Sequence, residues 1–191
     1  MVEPYRQTGP EDSILVVVDV QTGMLQAQPE KVVEKHVNNM LILITTAREL
    51  GVPILVTEQY PGGIGATLPA VKDLVGGARF LEKIIFSCTG APGFLEALKD
   101  TGRSNVVLIG TETHICVALT ALDLLAEGFS VHLPADGVIS RFKEDWAGGI
   151  SFMKGAGTVI TRTETLVFQW LQRADTRAFK TISPLIKNRK V

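Results

Sequence analysis

Cysteine is nearly absent from this 191-residue chain, which holds only Cys88 and Cys116. Two thiols make no disulfide framework. That excludes a small stapled secreted scaffold and makes a reducing, cytoplasmic compartment the simplest expectation. Histidine is scarce too: His36, His114 and His132 lie in separate segments without metal-ligand spacing. No apolar run approaches the ~18 residues that cross a bilayer. The opening MVEPYRQTGPED has neither a basic nor an apolar signal region, so no signal peptide is expected. Net charge is −1 with no long block of one sign, which argues against a nucleic-acid or membrane partner. Gly63-x-Gly65 lacks the third glycine of a dinucleotide fingerprint.

What is present is globular. With 46% hydrophobic and 20% charged residues, the chain can bury a sizeable core as one domain. Residues 1–12 read as an N-terminal arm, 13–187 as the domain and 188–191 as a tail, the basic end Lys187-Asn188-Arg189-Lys190 being solvated. Short apolar, β-branched runs at 14–18, 53–57, 80–86, 105–109, 129–133 and 158–161 read as strands. Helical spacing fills 30–50, 91–100, 115–127, 142–155, 163–173 and 174–187, and 58–65 reads as a flexible loop. Strands alternating with helices imply a parallel sheet covered on both faces.

Residues 105–127, NVVLIGTETHICVALTALDLLAE, organise the rest. A buried strand breaks at Gly110, Thr113 is the expected N-cap, and Cys116 falls in the first helical turn. Unpartnered N–H groups there lower a thiol pKa and offer donors to an oxyanion. Buried Cys is also a common small hydrophobe, so position alone does not decide. Asp19 closes the first strand. It fits a turn or capping residue, but a carboxylate at the carboxyl end of a parallel strand also stands where such sheets bind ligands. Lys83 shares a strand face with Leu81 and Ile85, as an edge gatekeeper or as a functional amine. Together Asp19, Lys83 and Cys116 supply a proton acceptor, a cation and a nucleophile. Cys88 reads as a packed thiol.

At these residues the chain resembles the isochorismatase-like cysteine hydrolases. The likeness rests on Val18-Asp19-Val20-Gln21, Glu82-Lys83 and Gly110-Thr111-Glu112-Thr113-His114-Ile115-Cys116, in order and in register. Thr57-Glu58-Gln59-Tyr60-Pro61 and Glu112-Thr113-His114 are similar to its isochorismatase-domain-containing branch. The resemblance implies an α/β fold, a single-domain Rossmann-like three-layer α/β/α sandwich with a six-stranded parallel sheet in the order 3-2-1-4-5-6. It implies an Asp19–Lys83–Cys116 triad and a non-proline cis peptide between Thr111 and Glu112. The backbone N–H groups of Glu112 and Cys116 would form the oxyanion hole. Gln21, Gln59, Tyr60 and His114 are the candidate substrate contacts.

The implied chemistry is hydrolysis of a non-peptide C–N bond in a small-molecule amide or imide through a thioester, with no cofactor. Metal-binding nicotinamidases of the family carry an Asp/His cluster after the second strand. Here that place reads Glu58-Gln59-Tyr60, so no metal is expected. Isochorismatases proper lack the nucleophilic Cys, and Cys116 argues against their vinyl-ether chemistry. Two other classes compete: a catalytically inactive binding or scaffold protein, and a redox-sensing thiol protein, which needs an exposed, low-pKa Cys. The very apolar nucleophile helix suggests a homo-oligomer, a dimer, tetramer or larger.

Overall fold

The computed structural model describes residues 7–190. Of the expected arm, residues 1–6 lie outside the described residues, as does Val191 of the expected tail. Strand β1 (Ser13–Val18) lies at the centre, every residue of it buried. Its alternating side chains feed two cores, with Leu15 and Val17 on one face and Ile14, Val16 and Val18 on the other. A strand buried on both faces has to read as the continuous apolar run seen in the sequence.

The elements follow in alternation: α1 (Thr22–Gln26), α2 (Glu30–Glu49), β2 (Ile54–Gln59), α3 (Pro61–Ile64), α4 (Pro69–Leu74), β3 (Arg79–Lys83) and α5 (Phe94–Lys99). Then come β4 (Asn105–Thr111), a π-helical turn (Thr113–Val117), α6 (Ala118–Ala126), β5 (Ser130–Pro134), β6 (Val138–Ile139), α7 (Lys143–Ala156), β7 (Val159–Thr161), α8 (Thr163–Leu171) and α9 (Arg177–Lys187). All strand pairs are parallel, in the order β3-β2-β1-β4-β5-β7. That is the expected order with one short strand added. β5 follows β4 only over Asn105–Val107; beyond that, the two-residue β6 pairs with Gly110 and Thr111. Helices α2, α4, α8 and α9 pack on one face, and α5, α6 and α7 on the other. No helix among the described residues is long and apolar enough to cross a membrane.

Three departures from the expected elements have local causes. The third strand ends at Lys83, not at residue 86, and Ile84, Ile85 and Phe86 are 81%, 52% and 57% exposed. The chain turns there because the Lys83 Nζ draws in the Phe86 carbonyl at 2.8 Å. Residues 58–65 are not a loose loop: β2 runs on to Gln59 and α3 follows with Pro61 in its first turn. The basic end is not simply solvated. Arg189 contacts the buried Asp136 at 3.4 Å and Glu164 at 3.4 Å, and Lys190 bonds Glu34. A buried carboxylate needs such partners, and Arg162 supplies another at 3.3 Å.

Candidate active site

Asp19 follows β1 in a left-handed conformation (φ 48°) and is fully buried. Its amide donates to the Thr57 carbonyl at 3.1 Å, and its carbonyl accepts from the Thr111 hydroxyl at 2.7 Å. The residue is thus clamped between the ends of β2 and β4. Each carboxylate oxygen has its own donor: Lys83 Nζ to Oδ2 at 2.7 Å, and Thr57 Oγ1 to Oδ1 at 2.8 Å. Both members of the ion pair have side chains at 0% exposure. Lys83 also donates to Gln59 Oε1 at 2.7 Å. The ammonium is therefore surrounded by oxygen, as a buried cation has to be.

Gly110 makes the clamp possible. At φ 127° a Cβ there would lie 2.0 Å from the Val18 carbonyl oxygen, so only glycine lets β4 close on β1. The Thr111–Glu112 peptide is cis. Glu112, not Thr113, is the N-cap of the following turn. The Glu112 carbonyl accepts from the Ile115 amide at 3.1 Å and the Val117 amide at 3.3 Å, and neither bond uses the Cys116 amide. The Thr113 hydroxyl is buried without a partner among the described residues. Gly149 of α7 lets that helix press on this turn, since a Cβ there would lie 2.9 Å from the His114 Cα.

Cys116 is 3% exposed and free. Its acidity is the reverse of what the N-terminal position suggests. Burial, followed by the Asp19 carboxylate, pushes the thiol up to about 12, with Lys83 working in the opposite direction. The resting site therefore holds a neutral thiol beside a Lys–carboxylate pair. Because a raised pKa means less anion at a given pH, ultraviolet titration should show no Cys116 thiolate below about pH 9. A wild-type-minus-Cys116→Ala absorbance step near pH 6 would contradict this.

The other predicted residues divide. Gln21 was expected to touch substrate, but it is fully buried and committed to backbone. Its Nε2 donates to the Gln59 carbonyl at 3.0 Å and the Gly65 carbonyl at 2.6 Å, and its Oε1 accepts from the Gln59 amide at 2.7 Å. Gln59 is likewise a positioning group, accepting from Lys83 and donating from Nε2 to the Ile84 carbonyl at 2.6 Å. Tyr60 is 59% exposed and lines a cleft of about 520 Å³ with Pro61, Lys83, Ile84, Ile85 and Pro92. His114 meets Ser140 Oγ at 3.0 Å through Nδ1 and faces Asp145 of α7 at 3.8 Å.

Two further residues join the site beyond the candidates drawn from the sequence. Thr57 bonds Asp19 and lies 3.5 Å from the Cys88 Sγ. Thr120 donates to the Cys116 carbonyl at 2.6 Å and accepts from the Cys88 amide at 2.8 Å. A polar residue closing a buried strand was the available sign for Thr57. Cys88 is fully buried and free, its thiol pushed up to about 11 by burial.

The family profile of the isochorismatase domain matches residues 13–165. The chain belongs to the isochorismatase family. Among its relatives, isochorismatase family protein 1B of Dictyostelium discoideum is 32% identical over 199 residues, spanning 100% of this chain and 93% of that one. Isochorismatase domain-containing protein 1 of Salmo salar is 38% identical over 145 residues, covering 76% of this chain but only 51% of the salmon protein. The chain thus spans about half the length of that relative. A solved structure described as the MAR1 ribonuclease of Caenorhabditis elegans superposes with TM-score 0.90 at 31% identity, over 97% of this chain and 95% of that one. YcaC of Escherichia coli, described as an octameric hydrolase of unknown specificity, shares the fold at TM-score 0.89 and 22% identity, over 96% and 92% of the two chains. This isochorismatase-family protein therefore carries the hydrolase-like fold of its family, with Asp19, Lys83 and Cys116 at one end of its sheet.

Proposed function

We propose that the protein is a cysteine hydrolase that cleaves a non-peptide C–N bond of a small amide or imide through a thioester on Cys116. One observation carries the reading: the fully buried Asp19 carboxylate, paired with the Lys83 ammonium at 2.7 Å, stands at the same end of the sheet as Cys116 and close enough for its charge to act on that thiol. With the resting thiol neutral, Asp19 takes its proton as sulfur attacks the carbonyl carbon, and Lys83 balances the charge. The carbonyl oxygen becomes anionic against the backbone N–H groups of Glu112 and Cys116. Collapse breaks the C–N bond as Asp19 returns the proton to the leaving nitrogen. Water then attacks the thioester with Asp19 as base, releasing the carboxylic acid and restoring the thiol. A redox sensor would require an exposed, acidic thiol, and the raised pKa of buried Cys116 speaks against it.

Tyr60 and His114 are proposed as substrate contacts at the mouth and on the α7 side. A homo-oligomer is proposed from the exposed Ile84, Ile85 and Phe86, since α6 buries Ala118, Thr120, Ala121 and Leu124 within the subunit. A cytoplasmic setting belongs to the same proposal, on the two free buried thiols.

The test is ammonia release from a panel of small primary amides, and ring opening to the amide-carboxylic acid for cyclic imides, with RNA included because the worm neighbour is described as a ribonuclease. At least one amide or imide should turn over, with Cys116→Ala slower by about 10³-fold or more. Cleavage of RNA without amide turnover, or equal rates in Cys116→Ala, would overturn the reading. The net charge of −1 leads us to expect intact RNA.

A further inference from the structure

Where the β6 edge meets α2 and α7, a cavity of about 310 Å³ lies between α2 and the segment joining β6 to α7. Its walls include Val32 and His36 of α2, Ile139 of β6, Arg141, and Lys143 and Trp146 of α7. No acidic side chain lines it. Its volume is at the small end of ligand pockets and suits a single ring or a short alkyl chain.

The charges around it are arranged, not scattered. Arg141 is held in place by Glu112, whose Oε1 accepts from the Arg141 amide at 3.0 Å and from Nε at 3.1 Å. The two terminal guanidinium nitrogens make no hydrogen bond among the described residues. Lys143 makes no ion pair among the described residues. Of the nearby carboxylates, Glu112 pairs with Arg141, Asp136 with Arg162 and Arg189, and Asp145 faces His114, while Glu144 follows Lys143 in α7 without lining the cavity. The charged side chains that line the pocket are therefore cationic, against apolar walls. Separately, His36 Nδ1 is buried without a hydrogen-bond partner among the described residues. Burial holds that imidazole below its ordinary range, so at neutral pH it adds a polar edge without adding charge.

We propose that this cavity is a second binding site, for a small organic carboxylate. Its ring or alkyl body packs on Val32, Ile139 and Trp146, and its carboxylate lies between the Arg141 guanidinium and the Lys143 ammonium. An arginine already fixed by one carboxylate presents its remaining fork at little entropic cost, the geometry that a second carboxylate reads best. The cavity shares no lining residue with the cleft at Tyr60 and Lys83.

Calorimetric titration of the full chain with sodium benzoate, and separately with benzyl alcohol, tests it at constant ionic strength. Benzoate should bind one saturable site, with the same affinity in Cys116→Ala, and benzyl alcohol should not bind. Lys143→Gln, which leaves the Arg141–Glu112 pair intact, should weaken benzoate by about tenfold or more. Val32→Trp, which fills the cavity, should abolish binding while melting as the wild type does. No saturable heat with benzoate, equal binding of the alcohol, or wild-type affinity in both variants would overturn the proposal.

Discussion

Replacing Lys83 with Met should cost about 3–5 kcal/mol of folding stability, read as a fall in the urea midpoint at unchanged slope. The side chains are of similar length, so packing changes little and the effect is electrostatic. Met removes the donor from Asp19 Oδ2, from Gln59 Oε1 and from the Phe86 carbonyl, leaving a fully buried carboxylate without its counter-charge. The double variant Lys83→Met/Asp19→Asn should recover at least half of the loss, because the orphaned charge is gone. Amide turnover should vanish in both. If Lys83→Met were as stable as the wild type within ~0.5 kcal/mol, Asp19 and Lys83 would not be held as a buried ion pair.

The second large effect concerns Asp19→Asn, which should move acidity and turnover in opposite directions. Beyond burial, the Asp19 charge raises the Cys116 thiol, whereas Lys83 lowers it. With the carboxylate neutralised and the ammonium kept, the thiol becomes more acidic. Its thiolate absorbance should then appear at lower pH than in the wild type, and alkylation should speed up. Turnover should nevertheless fall by about 10²–10⁴-fold, because the variant has no group to take the thiol proton and deliver it to the leaving nitrogen. A variant in which both acidity and turnover fell would place Asp19 in a purely structural role.

The parts of the site that were legible in the sequence stand at strand ends. Asp19 after an unbroken apolar run, Lys83 in a short strand and Cys116 after Gly110 each break a local pattern. The parallel order then carries all three to one end of the sheet. The bond from Thr57 to Asp19 depends on the β1–β2 register, which pairs Thr57 with Val18, and a polar strand end alone does not show that register. Ile84, Ile85 and Phe86 have strand composition, but the demand of a buried ammonium for carbonyl oxygen overrides propensity. β6, at two residues, is too short to leave a periodic signature.

The turn at Glu112 and the acidity of Cys116 misled for a related reason. A helix N-terminus favours a thiolate, but burial favours the thiol more strongly, and depth of burial is a property of the packed fold. Arg189 and Lys190 read as a solvated tail because their carboxylate partners, Asp136, Glu164 and Glu34, are remote in sequence.

Intact-protein mass spectrometry on acid-quenched turnover mixtures tests the central claim most directly, using whichever amide the panel identifies. The wild type should carry the substrate's acyl group on Cys116 as a thioester, released by hydroxylamine, and Cys116→Ala should carry none. Turnover with no adduct in the wild type, and undiminished turnover in Cys116→Ala, would contradict the thioester mechanism and remove Cys116 from the chemistry.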